Sequence, residues 1–298
     1  MSVAPSNAEP RPRPKGVRGD MADVGGRRLR FVRAGPADSA RPTVVLEHGA
    51  FGCASDWAVV QEKLAAKGLA SLAYDRAGLG HSDPGPKPRD GKAIVADLAA
   101  LLREVDEPGP YVLAGHSMGG LMVRLFALTH PDQVLGVVLV DAVTPDVILH
   151  PIGGRGVDAF NRILGWTSQG AKLGMMRPMA MVAGDRIGLP PEASAEKRRI
   201  FGSPSHAQWA AEEVSRWRAT SDQARAADFP AAMPVAVITA GAENTVTALK
   251  EIQSVPALAS RNGYIEHVAG AGHANLLGKR FADPVVRGVE HVLATAHR

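Results

Sequence analysis

The stretch that most constrains this chain runs from Tyr111 to Leu128. It comprises the apolar run Tyr111-Val112-Leu113-Ala114, then Gly115-His116-Ser117-Met118-Gly119, then Gly120-Leu121-Met122-Val123-Arg124-Leu125-Phe126-Ala127-Leu128. The first part reads as a short buried strand and the last as a helix, with room for only a tight turn between them. Glycines two residues before and two residues after Ser117 remove the side chains that would collide in such a turn. Ser117 is therefore expected at the tip, strained and accessible. The following helix aims its unpaired N-terminal N–H groups at any anion that forms beside the serine.

The same alternation of strand and helix recurs along the chain. Met21–Val24 and Arg28–Arg33 flank Gly25-Gly26 and predict a two-residue hairpin. Strands are expected at Thr43–Glu47, Leu69–Tyr74 and Val134–Val140, with helices at Trp57–Lys67 and Ala93–Val105 between them. Short apolar runs alternating with amphipathic helices predict an α/β fold, a mostly parallel sheet with helices on both faces. From Thr144 to Asp228 no good strand is legible, and helical stretches such as Ser205–Thr220 suggest a helical lid insertion over the sheet. Ile148, Phe160, Leu164, Trp166, Met175, Met176 and Met179 are its candidate pocket lining. The pattern resumes with a strand at Pro234–Thr239, a helix from Thr247 to Ser260, a strand at Tyr264–Val268 and a closing helix from Pro284 to Ala296. The expected organisation is thus a tail over residues 1–20, core over 21–143, lid over 144–228 and core again over 229–298.

Charge and cysteine usage bound the partners. Residues 1–33 carry eight Arg or Lys against three acids, a surplus of five, whereas the whole chain is +4, so residues 34–298 sum to −1. The basicity belongs to this N-terminal arm, read as solvated, with residues 1–20 as a disordered tail, and the body has no field to steer a nucleic acid. The first residues, rich in Pro and Arg, have no apolar core of the kind a secretory signal needs. No apolar run approaches the ~20 residues that span a bilayer. A single cysteine, Cys53, excludes an intramolecular disulfide, fits a reducing compartment, and leads to a cytoplasmic expectation.

Two glycine-rich stretches are not nucleotide sites. Gly78-x-Gly80 is followed by Asp83-Pro84 where a third glycine and a helix would be needed, and Gly115–Gly120 lacks the Lys-Ser/Thr of a phosphate loop. No His, Cys, Asp and Glu spacing matches a metal site, so neither metal nor cofactor is expected.

Acyl transfer by a serine needs a base for its proton, an acid to orient that base, and two donors for the oxyanion. The strand–turn–helix at Ser117 is a nucleophile elbow, Gly-x-Ser-x-Gly, and a histidine, His273, follows the last strand in the loop Gly270-Ala271-Gly272. This Ser, acid, His order resembles the α/β-hydrolase family from about Val24 to the C-terminus. Locally, His48-Gly49-Ala50 with Gly115–Gly120 is similar to the monoacylglycerol lipase branch, and Asp75–Pro84 to many bacterial α/β-hydrolases.

The resemblance implies Ser117 as nucleophile, His273 as base and the backbone N–H groups of Ala50 and Met118 as the oxyanion hole. His267 is the other histidine near the last strand, and the elbow is expected to direct His116 away from Ser117. The acid stays open. Counting without gaps from Pro234 places it on Glu243, the favoured position; alignment on Gly241 would place Asn244 there, and Asp141 after the preceding strand is the alternative. Asp75 and Arg76 are read as fixing their own loop, and Cys53 as a small buried thiol. The implied activity is cofactor-free cleavage of a small or medium carboxylic ester, with a small-molecule ester-like substrate as partner. The same residues could serve C–C hydrolysis, lactone opening, perhydrolysis or acyl transfer, or the fold could be a non-catalytic ligand binder.

Overall fold

A computed structural model describes residues 17–37, 42–151, 153–156, 158–159, 186–241 and 248–296. The N-terminal residues before 17, the expected pocket residues Phe160, Leu164, Trp166, Met175, Met176 and Met179, and the acid candidates Glu243 and Asn244 lie outside the described residues.

Among the described residues eight strands form one sheet: β1 (Asp20–Asp23), β2 (Arg28–Ala34), β3 (Val44–Glu47), β4 (Ser71–Tyr74), β5 (Tyr111–His116), β6 (Val134–Val140), β7 (Val235–Gly241) and β8 (Gly263–Ala269). Their spatial order is β1-β2-β4-β3-β5-β6-β7-β8. From β4 to β8 every neighbouring pair is parallel, whereas β1 and β2 form an antiparallel edge. The helices are α1 (Ala58–Ala66), α2 (Gly91–Glu104), α3 (Gly119–Thr129), α4 (Pro145–Leu149), α5 (Pro191–Phe201), α6 (Pro204–Ser215), α7 (Trp217–Ala224), α8 (Ala248–Ala259) and α9 (Asp283–Thr295). Between β6 and β7 the described residues form helices and loops, without a strand.

Strand alternation sorts the core into two layers. Val45, Leu113, Leu139 and Val237 point to one face, where Leu98, Leu121, Phe126 and Trp217 pack from α2, α3 and α7. Leu46, Ala114, Val138 and Ile238 point to the other, against Val60, Leu64, Val285 and Val289 of α1 and α9. Strands apolar on both faces are what a parallel sheet covered on both sides requires. Helix starts follow local chemistry: Asp90 caps α2 by accepting from the Ala93 N–H at 3.1 Å, and Thr144 and Ser203 cap α4 and α6 in the same way.

Two expectations change in detail. The Gly25-Gly26 turn is closed by the Val24 N–H donating to Arg27 O at 2.8 Å, with both glycines at positive φ, so β1 stops at Asp23. The Ser205–Thr220 stretch is two helices, α6 and α7, that meet at Arg216. The basic residues from 27 to 33 are not free in solvent either. Arg27 pairs with Asp97, Arg28 with Asp83 at 3.1 Å, Arg30 with Asp75 and Glu196, and Arg33 with Glu107 at 2.9 Å. No helix among the described residues is long and apolar enough to cross a membrane.

Leu113 is wholly buried in the central strand while Leu258 on α8 is 72% exposed. Leu113→Ala should lower stability by ~2–5 kcal/mol through lost burial and a cavity, and Leu258→Ala should stay within about 0.5 kcal/mol of the parent. Urea unfolding of the two variants checks the contrast.

Candidate active site

The elbow is built from backbone that only a specific set of residues tolerates. Ser117 has φ 54°, in the left-handed region that a residue with a side chain rarely occupies. A Cβ at Gly115 would lie 2.6 Å from Gly119 O, and one at Gly119 would lie 2.5 Å from Glu47 O. The turn therefore closes only with glycine at both places. The Ser117 N–H donates to Val140 O at 3.1 Å and Ser117 O accepts from the Val143 N–H at 2.9 Å, which ties the serine to the tip of β6.

Asp141 sits at that tip, also in the left-handed region at φ 41°. His273 Nδ1 donates to Asp141 Oδ2 at 2.6 Å. The other carboxylate oxygen accepts from the Ala240 N–H at 3.3 Å and from Gln253 Nε2 at 3.4 Å, and Gln253 also donates to Ala142 O at 3.1 Å. Burial would raise the Asp141 pKa, but the hydrogen bond and charge of His273, with lesser help from His116 and Ala240, hold it below the ordinary carboxylate value. With Nδ1 committed as donor, the His273 ring keeps Nε2 as its basic nitrogen.

His116 joins the histidine loop to the elbow. Its Nε2–H donates to the His273 carbonyl at 2.9 Å, and the two rings lie 4.7 Å apart between centroids. Burial first, and the neighbouring His273 second, lower its pKa to about 3, so the ring is neutral at physiological pH. The loop after β3 closes the other side: a Cβ on Gly49 would lie 3.0 Å from Ser117 Cβ. No hydrogen-bond acceptor among the described residues engages the backbone N–H of Ala50 or of Met118.

The structure thus brings together Ser117, Met118, Ala50, Asp141 and His273, and adds His116 and Gln253. His267 is elsewhere, bonded to Thr239 Oγ1 at 2.5 Å across β7 and β8. Cys53 is buried with its thiol pKa pushed up, first by burial and then by Asp56. Among the described residues no group of three His, Cys, Asp or Glu is arranged to hold a metal ion. Nothing in the sequence singles out Gln253: it is one polar residue on an amphipathic helix, and its contact with Asp141 depends on how α8 packs on β7.

Residues 42–154 match the model of the alpha/beta hydrolase fold family. A thermophilic esterase from Thermogutta terrifontis superposes with a TM-score of 0.65 at 21% identity, covering 95% of this chain and 99% of that one. This is an α/β-hydrolase-fold protein. Among curated proteins, a non-heme chloroperoxidase of Streptomyces lividans is 34% identical over 131 residues, 44% of this chain and 46% of that protein. The sn-1-specific diacylglycerol lipase ABHD11 of Mus musculus is 34% identical over 127 residues, 41% of this chain and 38% of that protein. The chain spans less than half the length of the curated relatives it matches. In this α/β-hydrolase fold the matched segment carries the loop after β3, the elbow and Asp141, while His273 comes from the part beyond it.

The neutral His116 and the depressed Asp141 act in the same direction on stability. Each binds its proton more readily when unfolded, so each contributes stability that is present above its unfolded pKa and lost as pH falls toward its folded value. Stability should therefore decline on acidification below ~6.5, with a further step below ~4. Asp141→Asn should shrink but not abolish that lower step, because Glu196 and Glu266 are also held below the ordinary carboxylate value by their partners, as urea midpoints measured from pH 7 to pH 2.5 would record. Nitrogen-15 NMR should also find His116 as a neutral Nε2–H tautomer that does not titrate between pH 5 and pH 9.

Proposed function

We propose that this protein is a serine hydrolase that cleaves a small or medium carboxylic ester through an acyl-enzyme on Ser117. The observation that carries this reading is the 2.6 Å bond from His273 Nδ1 to Asp141, from a loop that His116 anchors beside an elbow serine. Glu243 lies outside the described residues, and the carboxylate proposed as the acid is Asp141.

In the proposed reaction the Ser117 hydroxyl oxygen attacks the ester carbonyl carbon while its proton passes to His273 Nε2. The N–H groups of Ala50 and Met118 stabilise the negative charge on the former carbonyl oxygen. Collapse expels the alcohol, which takes the proton from His273. Water then attacks the acyl-enzyme, its proton going to His273, and the second collapse releases the carboxylic acid as Ser117 recovers the proton. Asp141 holds the ring in the productive tautomer and balances the imidazolium. The inserted helices between β6 and β7 act in this reading as a lid that sets which ester enters, and the similarity to an esterase and a lipase supports an ester among the substrates such a site can take.

A fluorophosphonate should label Ser117 stoichiometrically, and Ser117→Ala should lose both labelling and turnover of p-nitrophenyl esters. Asp141→Asn should lower kcat by roughly 1,000- to 10,000-fold, and Glu243→Gln should leave it within about threefold, a change too small for loss of a triad acid. Labelling that persists in Ser117→Ala, or the reverse ranking of the two acid variants, would overturn the respective assignment. A series of p-nitrophenyl esters of increasing chain length reads the acyl preference.

A further inference from the structure

The Gly49–Ala50 peptide is held from behind with unusual completeness. Gly49 O accepts from three donors: His48 Nδ1 at 2.9 Å, the Gly52 N–H at 3.1 Å and Arg76 Nη2 at 3.1 Å. In a trans peptide the C=O and the following N–H point in opposite directions. Fixing the Gly49 carbonyl therefore fixes the Ala50 N–H on the opposite side. Phe51, next in the chain, has φ 57°, a strained conformation that persists only where its surroundings over-determine it.

Those surroundings are supplied by α6. Glu213 on this helix receives Arg76 Nε at 3.0 Å and Nη2 at 2.8 Å, and the same guanidinium donates from Nη1 to Glu47 Oε1 at 2.6 Å and to His48 O at 2.7 Å. His206, two helical turns earlier on the same face, donates from Nε2 to Phe51 O at 3.2 Å and accepts the Gly80 N–H on Nδ1 at 3.1 Å. Its pKa is lowered to about 4, first by burial, so it stays in the neutral form that both bonds require. Arg76, Glu213 and His206 are all buried. None of these contacts reaches Ser117, His273 or Asp141.

We infer that α6 positions the oxyanion-binding peptide, through Arg76–Glu213 on the Gly49 carbonyl and through His206 on the Phe51 carbonyl. These are positioning residues: they act through the Ala50 N–H and touch no reacting atom. The inference rests on the serine hydrolase reading above and deepens it. It makes an inserted helix part of the machinery that receives transition-state charge, so that the oxyanion hole is complete only when α6 is docked.

The test compares His206→Leu, His206→Gln and Arg76→Lys with the parent, using p-nitrophenyl butyrate and a boronic acid that mimics the tetrahedral intermediate. Leu removes the donor to Phe51 O, Gln keeps an N–H at the end of a side chain of similar reach, and Lys cannot serve four acceptors from one nitrogen. Misplacing a donor by ~1 Å costs on the order of 100-fold. His206→Leu and Arg76→Lys should lower kcat by about 10- to 100-fold with KM within about threefold, because the lost interaction is made chiefly in the transition state. The boronate inhibition constant should rise by the same factor as kcat/KM falls, and His206→Gln should stay within about threefold of the parent. If Arg76→Lys does not fold, the two His206 variants decide alone; if His206→Leu does not fold, Glu213→Gln takes its place with the same expected kcat loss and boronate rise. The inference is overturned if a folded His206→Leu, or Glu213→Gln standing in for it, keeps its kcat, if kcat falls without a matching rise in the boronate constant, or if Leu and Gln at 206 lose equally. A parent that is neither labelled by fluorophosphonate nor active, or a Ser117→Ala variant that remains active, overturns the reading of Ser117 and the inference with it. A labelled, active parent with unaffected positioning variants overturns the inference alone.

Discussion

The site depends on one constraint: a strand must turn into a helix within three residues, and a residue with a side chain must sit at the turn. Ser117 at φ 54° carries that strain, which for a residue other than glycine is of order 1–3 kcal/mol. It is stored in surroundings that cannot relax. Gly115 and Gly119 leave no space for a side chain, and the Ser117 N–H and C=O are bonded to Val140 and Val143. Those bonds tie the serine to the end of β6, where Asp141 begins the next turn. The same strain recurs at Phe51 and Asp141, so three strained residues follow β3, β5 and β6 at the carboxyl edge of a parallel sheet.

Buried charge fixes the loops at that edge. Arg30 and Arg76 are almost wholly buried and lie between carboxylates of the core, Asp75 and Glu47, and carboxylates of the inserted helices, Glu196 and Glu213. Burial works against the Arg76 charge, but Glu213 and Glu47 outweigh it and hold its pKa above the ordinary value. Glu47 is raised by its own burial, against the pull of Arg76 and of the Tyr74 hydroxyl that donates to it. Such pairs are costly to desolvate, and an apolar replacement of the same shape can be as stable. What they supply is direction: a guanidinium presents several donors in a fixed plane, which suits it to holding two backbone carbonyls and two carboxylates at once.

Much of this was legible in the sequence wherever local pattern decides. β5, α3 and β6 lie where Tyr111–Val140 predicts them, because continuous apolar runs bounded by glycine and proline leave little choice. The Gly-x-Ser-x-Gly spacing pointed to Ser117, and the glycine-rich loop after β8 pointed to His273. Long-range pairings were not legible. Arg76 read as a residue that fixes its own loop, yet its partners lie 27 to 29 residues before it and 137 after it. The basic residues from 27 to 33 read as a solvated arm, whereas Arg30 is buried against Glu196 from 166 residues away. Composition counts charges, but tertiary contact decides which of them meet.

The choice of acid shows the same division. By position along the chain, the turn after β7 and the turn after β6 are equivalent places for a carboxylate that is to meet a histidine arriving from β8. A carboxylate that orients an imidazole with one oxygen needs donors for the other. Asp141 has them in the Ala240 N–H, from the adjacent strand, and in Gln253, from the helix packed on that strand. Because β6 is the neighbour of β5, a carboxylate at its tip also shares with Ser117 the backbone bonds that define the elbow. In the proposed triad the acid and the nucleophile are therefore held by one rigid unit, and only the histidine loop must be brought in from a distance. His116 supplies that link: the residue beside the nucleophile holds the carbonyl of the residue proposed as its base, and it does so in a neutral state that cannot compete for the proton.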